Sequence, residues 1–338
     1  MEFLPVTQES ISRAADIIRS GGIVAFPTET VYGLGADAYN AEALVKVFEV
    51  KNRPYFDPLI IHIAAIETLE TAADLSLLNE ETRRKLFILA ENLWPGPLSI
   101  ILPKKDKIPG IATAGLRTAA FRFPDHETAR DLISLSSGAV AAPSANPFGG
   151  LSPTRAEHIR DSLGDKVDMI LNGGAARIGV ESTVLDITGE NIKILRYGGT
   201  PRETIESLIG PVFIEDSSEV DSDCGLVSPG QLKSHYAPRT PLSVFSIENI
   251  NLLPCEKNTA WLFFDNFSRN VWLKGQGIKH DIPIKVLSAS GNISEAASRL
   301  FETLHELDKS NVCRIFAQFA PQEGLGAAIN DRLKKAAS

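Results

Sequence analysis

The segment of the sequence best suited to bind a small polar ligand is 27–35, Pro-Thr-Glu-Thr-Val-Tyr-Gly-Leu-Gly, which directly follows an apolar stretch. The proline and the two glycines let the backbone approach a ligand closely, and the threonine and glutamate side chains offer hydrogen-bonding groups. A polar turn at the end of a strand would have the same composition. Taken alone, this segment favours the simpler interpretation of a turn.

A lysine and an arginine two positions apart, Lys51 and Arg53, lie at the end of a predicted helix and are followed by Pro54. Cations at a helix C-terminus usually offset the helix macrodipole. The alternative is a phosphate clamp, because the proline ends the helix and aims both cations off its end. Arginine offers a planar fork for phosphate oxygens, and lysine offers a point charge.

A third polar segment, Ser144 to Asn146, lies between two prolines after an apolar strand. Its hydroxyl and amide suit phosphate or ribose binding, and a tight proline-bounded turn is equally compatible with these residues. Four further polar residues stand alone among apolar neighbours: His62, Arg117, Ser182 and Arg196. Such a histidine is more often structural than a ligand, and an arginine at a strand end is more often a solvated surface group.

Several common catalytic signatures are missing from the sequence. It contains no GxxxxGK[ST] loop, no GxGxxG after the first predicted strand, no HExxH and no GxSxG. Cys224, Cys255 and Cys313 are widely spaced and form no CxxC pair, so neither a zinc site nor a disulfide framework is indicated. ATP use, if present, therefore does not depend on a standard P-loop.

The elements that must position these residues alternate between helical and strand patterns over the first two hundred residues. Helices are predicted at 10–20, 41–50, 67–73, 79–93 and 201–208, the last with Thr200 as its N-cap, and strands at 23–26, 58–63, 98–102, 119–123, 140–142, 169–171, 183–187 and 192–195. This mixture predicts an α/β or α+β sheet domain.

The rest of the chain has two parts. Residues 210–241 are rich in Ser, Asp, Pro and Gly and predict a linker, although the run His235-Tyr236-Ala237-Pro238 is unusual for a spacer. From 242 onward, strands and helices alternate in a small, doubly wound α/β pattern. The length of 338 residues agrees with two domains.

Composition narrows the class of protein. Apolar residues make up 43% of the chain, and no apolar run is long enough to cross a bilayer. The N-terminus lacks the features of a signal peptide, so we expect a cytoplasmic protein. The net charge of −8 argues against a broad nucleic-acid surface.

Taken in order, the three polar segments resemble the YrdC family of threonylcarbamoyl-AMP synthases. The similarity extends through Asp57 to His62, Trp94 to Pro97, Glu181 to Thr183 and Leu195-Arg196, and so covers residues 7 to about 200. Ser228-Pro229-Gly230, the His235 to Pro238 run and the α/β tail are similar to the longer, two-domain form of the family.

The resemblance implies a catalytic domain at 7–209 with a twisted sheet around a deep cavity, a linker at 210–241 that acts as a lid, and a Rossmann-like domain at 242–338. It implies Lys51 and Arg53 as catalytic residues. The implied threonine contacts are Thr30, His62, Arg117, Ala142 and Ser182. The implied ATP contacts are Lys51, Arg53, Asp57, Thr113, Ser144, Asn146, Ser152, Arg196 and Tyr236, with Asp57 standing where many members carry Asn.

The implied reaction converts L-threonine, bicarbonate or CO2, and ATP into threonylcarbamoyl-AMP and pyrophosphate. Mg2+ accompanies the ATP, and no protein-bound metal is expected. The product passes to a separate tRNA-modifying complex that acts on the adenosine next to the anticodon, and we expect a monomer without membrane association. Two alternatives are a non-catalytic RNA-binding module and an enzyme that uses carbamoyl phosphate. The acidic charge disfavours the first, and the lack of a cysteine-rich segment disfavours the second.

Overall fold

A computed structural model of the chain describes residues 1–215, 235–252, 257–276 and 282–338. These residues divide into two compact units, which we describe separately. The first unit takes 1–148, 152–177 and 181–215, and the second takes the other described residues. The domain boundaries given above stay a prediction, and residues 216–234 of the predicted linker lie outside the described residues.

The described part of the first unit contains strands β1 to β11 and helices α1 to α7. The strands are β1 (Glu2–Pro5), β2 (Val24–Phe26), β3 (Gly33–Asp37), β4 (Ile60–Ile63), β5 (Leu98–Pro103), β6 (Thr118–Arg122), β7 (Ala139–Ala141), β8 (Met169–Asn172), β9 (Thr183–Asp186), β10 (Lys193–Arg196) and β11 (Phe213–Ile214). The helices are α1 (Gln8–Arg19), α2 (Ala41–Lys51), α3 (Ile66–Ala72), α4 (Glu80–Leu93), α5 (Glu127–Leu135), α6 (Ala156–Ser162) and α7 (Arg202–Ile209).

These strands form one mixed sheet in the order β1-β8-β2-β3-β7-β4-β6-β5-β9-β10-β11. In its centre β4 runs parallel to β6 and antiparallel to β7, and β5 runs antiparallel to β6 and parallel to β9. Most central strand residues are buried, because apolar clusters cover both faces of the sheet. The predicted α/β class is confirmed.

Alternation along β7 shows how the two faces are used. Ala139 and Ala141 belong to the cluster that packs against α2 and α4, whereas Val140 and Ala142 belong to the cluster beneath α1 and α5. The same alternation in β4 to β6 places one set of side chains on the face that carries the polar residues described below.

Two local predictions were wrong. Residues 33–37 form strand β3 and are not part of a turn. The N-cap of α7 is Pro201 and not Thr200, whose backbone N–H instead donates to the hydroxyl of Thr183.

The described part of the second unit contains four strands and three helices. They are β12 (Leu242–Phe245), β13 (Thr259–Asp265), α8 (Asn266–Gln276), β14 (Ile284–Ser288), α9 (Ile293–Asp308), β15 (Arg314–Gln318) and α10 (Gly326–Ala336). The strands are all parallel, in the order β12-β15-β13-β14, and an aromatic cluster around Trp261, Phe263 and Trp272 packs against them. This agrees with the doubly wound pattern that the sequence predicted.

None of the helices in the described ranges is both long enough and apolar enough to span a bilayer. Cys313 is exposed and has a free thiol, whereas Cys224 and Cys255 lie outside the described residues. Over those same ranges, no group of three or more His, Cys, Asp or Glu side chains is arranged to hold a metal ion.

Candidate active site

A row of polar side chains crosses four neighbouring strands on one face of the large sheet. His62 on β4 lies opposite Arg122 on β6, and Arg122 lies opposite Ser99 on β5. The hydroxyl of Ser99 is 2.8 Å from that of Ser182, the residue before β9. All four residues are buried. We call His62, Arg122, Ser99 and Ser182 the polar row.

An apolar floor adjoins the polar row on the same face. Each of the four strands carries an apolar residue two positions away from its polar one, and a two-residue step returns to the same face of a strand. These residues form one buried cluster, with Leu195 of β10 as an additional member: Ile60, Ile101, Ala120, Val184 and Leu195. The combination of an apolar floor and a few fixed polar groups is typical of a small-molecule site.

The loop between β2 and β3, residues 27–32, is tied to the polar row through Arg122. Nη2 of Arg122 donates a hydrogen bond of 2.8 Å to the hydroxyl of Thr30 and lies 2.7 Å from Oε2 of Glu29. The hydroxyl of Thr28 is 2.9 Å from that of Thr30 and donates to the carbonyl oxygen of Val31 at 2.5 Å. The predicted ligand segment therefore contacts a buried arginine that contributes charge to the same face.

His62 is uncharged at neutral pH. Burial, reinforced by the positive charge of Arg122, lowers the pKa of His62 from 6.5 to about 3. Its Nδ1 is 3.1 Å from the carbonyl oxygen of Ile60. Because a carbonyl only accepts, Nδ1 carries the proton, and Nε2 therefore presents a lone pair.

Arg196 at the end of β10 closes the far end of the polar row. Its Nε and Nη2 donate to the carbonyl oxygen of Ser182 at 3.1 and 2.9 Å, and Nη2 also donates to the Ser182 hydroxyl at 3.1 Å. Arg196 is 6% exposed, so it is not the solvated strand-end arginine that is usually found at such a position.

Lys51, the last residue of α2, is turned into the protein and not toward solvent. Only 1% of its surface is exposed, and its Nζ donates to the carbonyl oxygens of Ser144, at 2.6 Å, and of Asn146. The helix ends because Asn52 adopts a left-handed conformation, with φ of 51°. Lys51 therefore joins the second polar segment of the sequence directly to the third.

Arg53 and Asp57 form a buried ion pair beside Lys51. Nη2 of Arg53 is 2.8 Å from Oδ1 of Asp57, and the guanidinium also donates to the carbonyl oxygens of Asp57 and Pro58 at 2.9 and 2.8 Å. Asp57 is fully buried, and within the described part of the chain neither of its carboxylate oxygens has a well-aligned hydrogen bond.

The charges of Lys51, Arg53 and Arg196 all act on Asp57. Burial raises the pKa of Asp57, while Arg53, Lys51 and Arg196 oppose that rise. Burial also lowers the pKa of Lys51 well below its usual range, the charge of Arg53 adds to this effect, and Asp57 opposes it. We call Lys51, Arg53 and Arg196 the cation cluster. A bound polyanion would favour the charged form of Lys51.

The remaining residues of the first unit that the sequence singled out lie around these two groups. Ala142 is buried, and its backbone N–H donates to the carbonyl oxygen of Ile60. Ser144 is half-buried and pairs with Gly33 of β3, while Asn146 is buried.

The hydroxyl groups of Ser152 and Thr113 are both bonded within the protein. The hydroxyl of Ser152 donates to Glu181 at 2.5 Å. That of Thr113 is bonded within its own turn, to the carbonyl oxygen of Leu116 at 2.9 Å.

Two predicted contact residues differ from the others. Arg117 is exposed at the start of β6, and within the described ranges its side chain has no hydrogen-bond partner. Tyr236 belongs to the second unit, where it packs against His235 and Phe301 and lies beneath the guanidinium of Arg332. The ligand contacts predicted for both residues stay predictions.

The chemistry available at this site is charge compensation and hydrogen bonding. The cation cluster can neutralise phosphate oxygens, and the polar row offers neutral groups and one arginine to a smaller polar ligand. None of the side chains in the polar row or the cation cluster is arranged as a nucleophile with a paired base.

Two family models match the chain in succession. The Sua5/YciO/YrdC model, described as telomere recombination, matches residues 16–198. The model described as the C-terminal domain of threonylcarbamoyl-AMP synthase matches residues 200–338.

Curated relatives and a solved structure agree with these matches. A threonylcarbamoyl-AMP synthase of Pyrococcus abyssi is 40% identical over 98% of this chain and 95% of the relative, and one of Bacillus subtilis is 39% identical over 99% and 96%. The crystal structure of Pyrococcus abyssi Sua5 complexed with L-threonine has a TM-score of 0.87 and 38% identity over 99% of this chain and 96% of that one. This chain belongs to the threonylcarbamoyl-AMP synthase family. It is a nucleotidyl-transferring enzyme of the two-domain Sua5 form.

Three residues of this site were not selected as candidates from the sequence: Glu29, Ser99 and Arg122. Glu29 lies within the first polar segment but was not selected. Ser99 and Arg122 each stand among apolar residues in a predicted strand, at positions that alternate onto the face carrying His62. Following that alternation across the predicted strands would have indicated both.

Because His62 is buried and neutral in the native protein, we predict that the stability of the protein decreases as the pH is lowered. Between pH 6.5 and about 3 the unfolded chain binds a proton at this position that the native protein does not, so the free energy of unfolding falls as the pH falls. The slope has an upper bound of about 1.4 kcal/mol per pH unit. Urea unfolding at pH 6.5 and at pH 4.5 gives the free energy of unfolding at each pH. Between these two values we expect it to fall by about 2.5 kcal/mol more in the native protein than in His62→Asn. Equal losses in both would show that His62 is not held neutral.

Proposed function

We propose that this enzyme joins L-threonine, bicarbonate or CO2, and ATP to form threonylcarbamoyl-AMP and pyrophosphate. The observation that carries this proposal is that the cation cluster around Asp57 contacts the polar row, because Arg196 donates to both the carbonyl oxygen and the hydroxyl of Ser182. Family membership supplies the class of reaction. The product would serve modification of the tRNA adenosine next to the anticodon.

The nucleotide would bind at the cation cluster. Lys51, Arg53 and Arg196 are buried basic side chains, and a bound polyanion would favour the charged form of Lys51. Buried cations without water around them stabilise a polyanion more strongly than exposed ones do. We expect further ATP contacts from the following residues: Asp57, Thr113, Ser144, Asn146, Ser152 and Tyr236. The substrate would be Mg–ATP, with the ion held mainly by the phosphates.

Threonine would bind along the polar row. Ser182 offers a hydroxyl group to the substrate, His62 offers the acceptor Nε2, and Thr30 lies beside Arg122. Ala142 is a further predicted contact and is buried. Arg117 is the predicted partner of the substrate carboxylate. A site that hydrogen-bonds a substrate hydroxyl can reject an analogue without it by about 10⁴-fold, because its own polar groups would be left unpaired.

The reaction needs no protein nucleophile. The threonine amine combines with bicarbonate or CO2 to give an N-carboxylate, and an oxygen of this carboxylate attacks the α-phosphorus of ATP while pyrophosphate leaves. The difficulty lies in bringing an anion to a polyanion. Lys51 and Arg53, the proposed catalytic residues, together with Arg196 would compensate the charge that accumulates on the phosphates.

The partners and the location follow from the proposed product. Threonylcarbamoyl-AMP is a labile mixed anhydride, so we expect it to pass to a separate transferase complex that modifies tRNA. We further expect a monomer that acts in the cytoplasm.

The test of this proposal is a pyrophosphate-release assay on the purified full-length protein. With L-threonine, bicarbonate and Mg–ATP, we expect pyrophosphate and threonylcarbamoyl-AMP in equal amounts, the latter identified by mass spectrometry. Omitting either threonine or bicarbonate should abolish both. Pyrophosphate release that is independent of threonine, or binding of tRNA with no ATP turnover, would contradict the proposal.

A further inference from the structure

The ion pair between Glu29 and Arg122 leaves polar atoms unsatisfied in a buried place. The side chains are 1% and 5% exposed. Although Nη2 of Arg122 lies 2.7 Å from Oε2 of Glu29, the alignment does not make a hydrogen bond, and neither oxygen of Glu29 has another hydrogen-bond partner among the residues that the structure describes. Burying such acceptors costs free energy unless something bonds to them. The carboxylate is therefore suited to receive a donor from a ligand.

The neighbouring hydroxyl groups are arranged so that Thr30 also offers an acceptor. A guanidinium only donates, so Arg122 donates to the oxygen of Thr30. The hydroxyl of Thr28 donates its hydrogen to the carbonyl oxygen of Val31. The Thr30 hydroxyl must therefore be the donor in the hydrogen bond between the two threonine hydroxyls. With its own hydrogen committed, the Thr30 oxygen has one lone pair left, which can only accept.

His62 also presents a hydrogen-bond acceptor and no donor to a ligand. Its Nδ1 proton is directed at the carbonyl oxygen of Ile60, and the imidazole is neutral, so Nε2 can only accept. His62 lies opposite Arg122 in the β4–β6 pair, and Arg122 contacts both Glu29 and Thr30. Three groups that share one arginine neighbour thus present acceptors, and a ligand that satisfies them must present donors.

We propose that Glu29, together with Thr30 and His62, binds the α-ammonium group of the amino-acid substrate, and that Glu29 takes its proton before carboxylation. This inference rests on the proposed function. Arg122 is a positioning residue, because it holds Glu29 and fixes the polarity of the Thr30 hydroxyl.

The proton transfer is needed because an ammonium group has no lone pair with which to attack carbon. The ammonium gives one proton to the Glu29 carboxylate, and the resulting amine forms a bond to the carbon of bicarbonate. The second proton of the amine leaves with the bicarbonate hydroxyl as water. The products are the N-carboxylate of threonine, water and a protonated Glu29, which later returns its proton to solvent. The total charge, with the α-carboxylate of threonine included, is −2 on both sides.

The test compares the affinity for L-threonine with that for (2S,3R)-2,3-dihydroxybutanoate, in which a hydroxyl replaces the ammonium. Titration calorimetry on the full-length protein should show that the native protein prefers threonine. The Glu29→Gln variant keeps the shape of the side chain but loses its charge. We expect it to raise the dissociation constant for threonine roughly 10- to 100-fold and to remove the preference, with the ATP dissociation constant within about threefold of native.

Glu127→Gln, at the exposed start of α5, is the matched control and should leave both affinities unchanged. If Glu29→Gln does not fold, the double variant Glu29→Gln/Arg122→Met removes both charges and leaves neither uncompensated. It should also lose the preference for threonine.

Arg122→Lys keeps the positive charge, but the lysine side chain is one atom shorter and would not place its nitrogen where Nη2 of Arg122 contacts both Glu29 and Thr30. We expect it to raise KM for threonine while leaving KM for ATP within about threefold, a split that a general loss of structure would not produce.

An unchanged preference for threonine in Glu29→Gln would overturn this inference even if the native protein catalyses the proposed reaction. Absence of threonine-dependent pyrophosphate release in the native protein would instead overturn the proposed function. The two failures are therefore distinguishable.

Discussion

Lys51→Met should lower kcat/KM for ATP by about 10²- to 10³-fold, which corresponds to ~2.7–4 kcal/mol of transition-state stabilisation. The ammonium group of Lys51 is buried, belongs to the cation cluster and contacts the carbonyl oxygens of Ser144 and Asn146. Methionine keeps the length and apolar character of the side chain but removes its charge and its donors. Steady-state measurements of pyrophosphate release with varied ATP would give the value.

The matched control is Lys46→Met on the same helix. Lys46 also donates to one backbone carbonyl oxygen, that of Gly21 at 2.6 Å, but it has no part in the cation cluster. It should retain activity within about twofold, because surface substitutions of this kind usually change stability by less than about 0.5 kcal/mol. Equal losses in both variants would show that the effect of Lys51→Met comes from the helix and not from the phosphate site.

Gly198→Ala should lower the free energy of unfolding by about 3 kcal/mol and abolish threonine binding. A Cβ at this position would lie 2.2 Å from the carbonyl carbon of Ser182 and 2.3 Å from the backbone nitrogen of Thr183. These are backbone atoms at the start of β9, so the segment after β10 would have to move away. That movement would displace the Ser182 carbonyl oxygen to which Arg196 donates.

Gly189→Ala provides the control for the previous substitution. Gly189 lies in the connection between β9 and β10, and the nearest atom to its added Cβ is the carbonyl oxygen of Asn191 at 3.7 Å, an ordinary contact. Urea unfolding should find this variant within about 0.5 kcal/mol of the native protein. A Gly198→Ala protein that is equally stable and binds threonine normally would contradict the close packing of this segment on Ser182.

Much of the fold could be predicted from sequence because the helices are strongly amphipathic and the central strands are short apolar runs. Strand β3 was missed since glycine is unfavourable in strands, and Gly33 and Gly35 therefore suggested a turn. The structure gives the reason for these glycines. A Cβ on Gly35 would lie 2.7 Å from side-chain atoms of both Phe26 and Val140, so packing on the neighbouring strands requires glycine there.

The phosphate side of the candidate site was easier to predict than the amino-acid side. Lys51 and Arg53 are adjacent in sequence to a proline and follow a recognisable helix. The position of Arg122 next to Glu29 and Thr30, by contrast, depends on contacts across 92 residues of sequence. Strand register decides that proximity, and a single sequence does not reveal register between distant strands.

The burial of Lys51 favours a phosphate clamp over a surface interaction with the helix macrodipole. A lysine at a helix C-terminus normally interacts with the macrodipole from the surface, but Lys51 is 1% exposed and directed at two backbone carbonyl oxygens. Position 51 lies on the same face of α2 as Leu44, Val47 and Phe48, so the helical period alone already directed this last cation toward the core.

The measurement that tests the central claim most directly is a crystal structure of the protein with α,β-methylene-ATP, Mg2+ and L-threonine. Our account predicts phosphate oxygens about 3 Å from the cationic groups of Lys51, Arg53 and Arg196, with the amino acid on the polar row and its ammonium facing Glu29. A triphosphate bound on another surface, with these three cations still bonded only to protein oxygens, would contradict it.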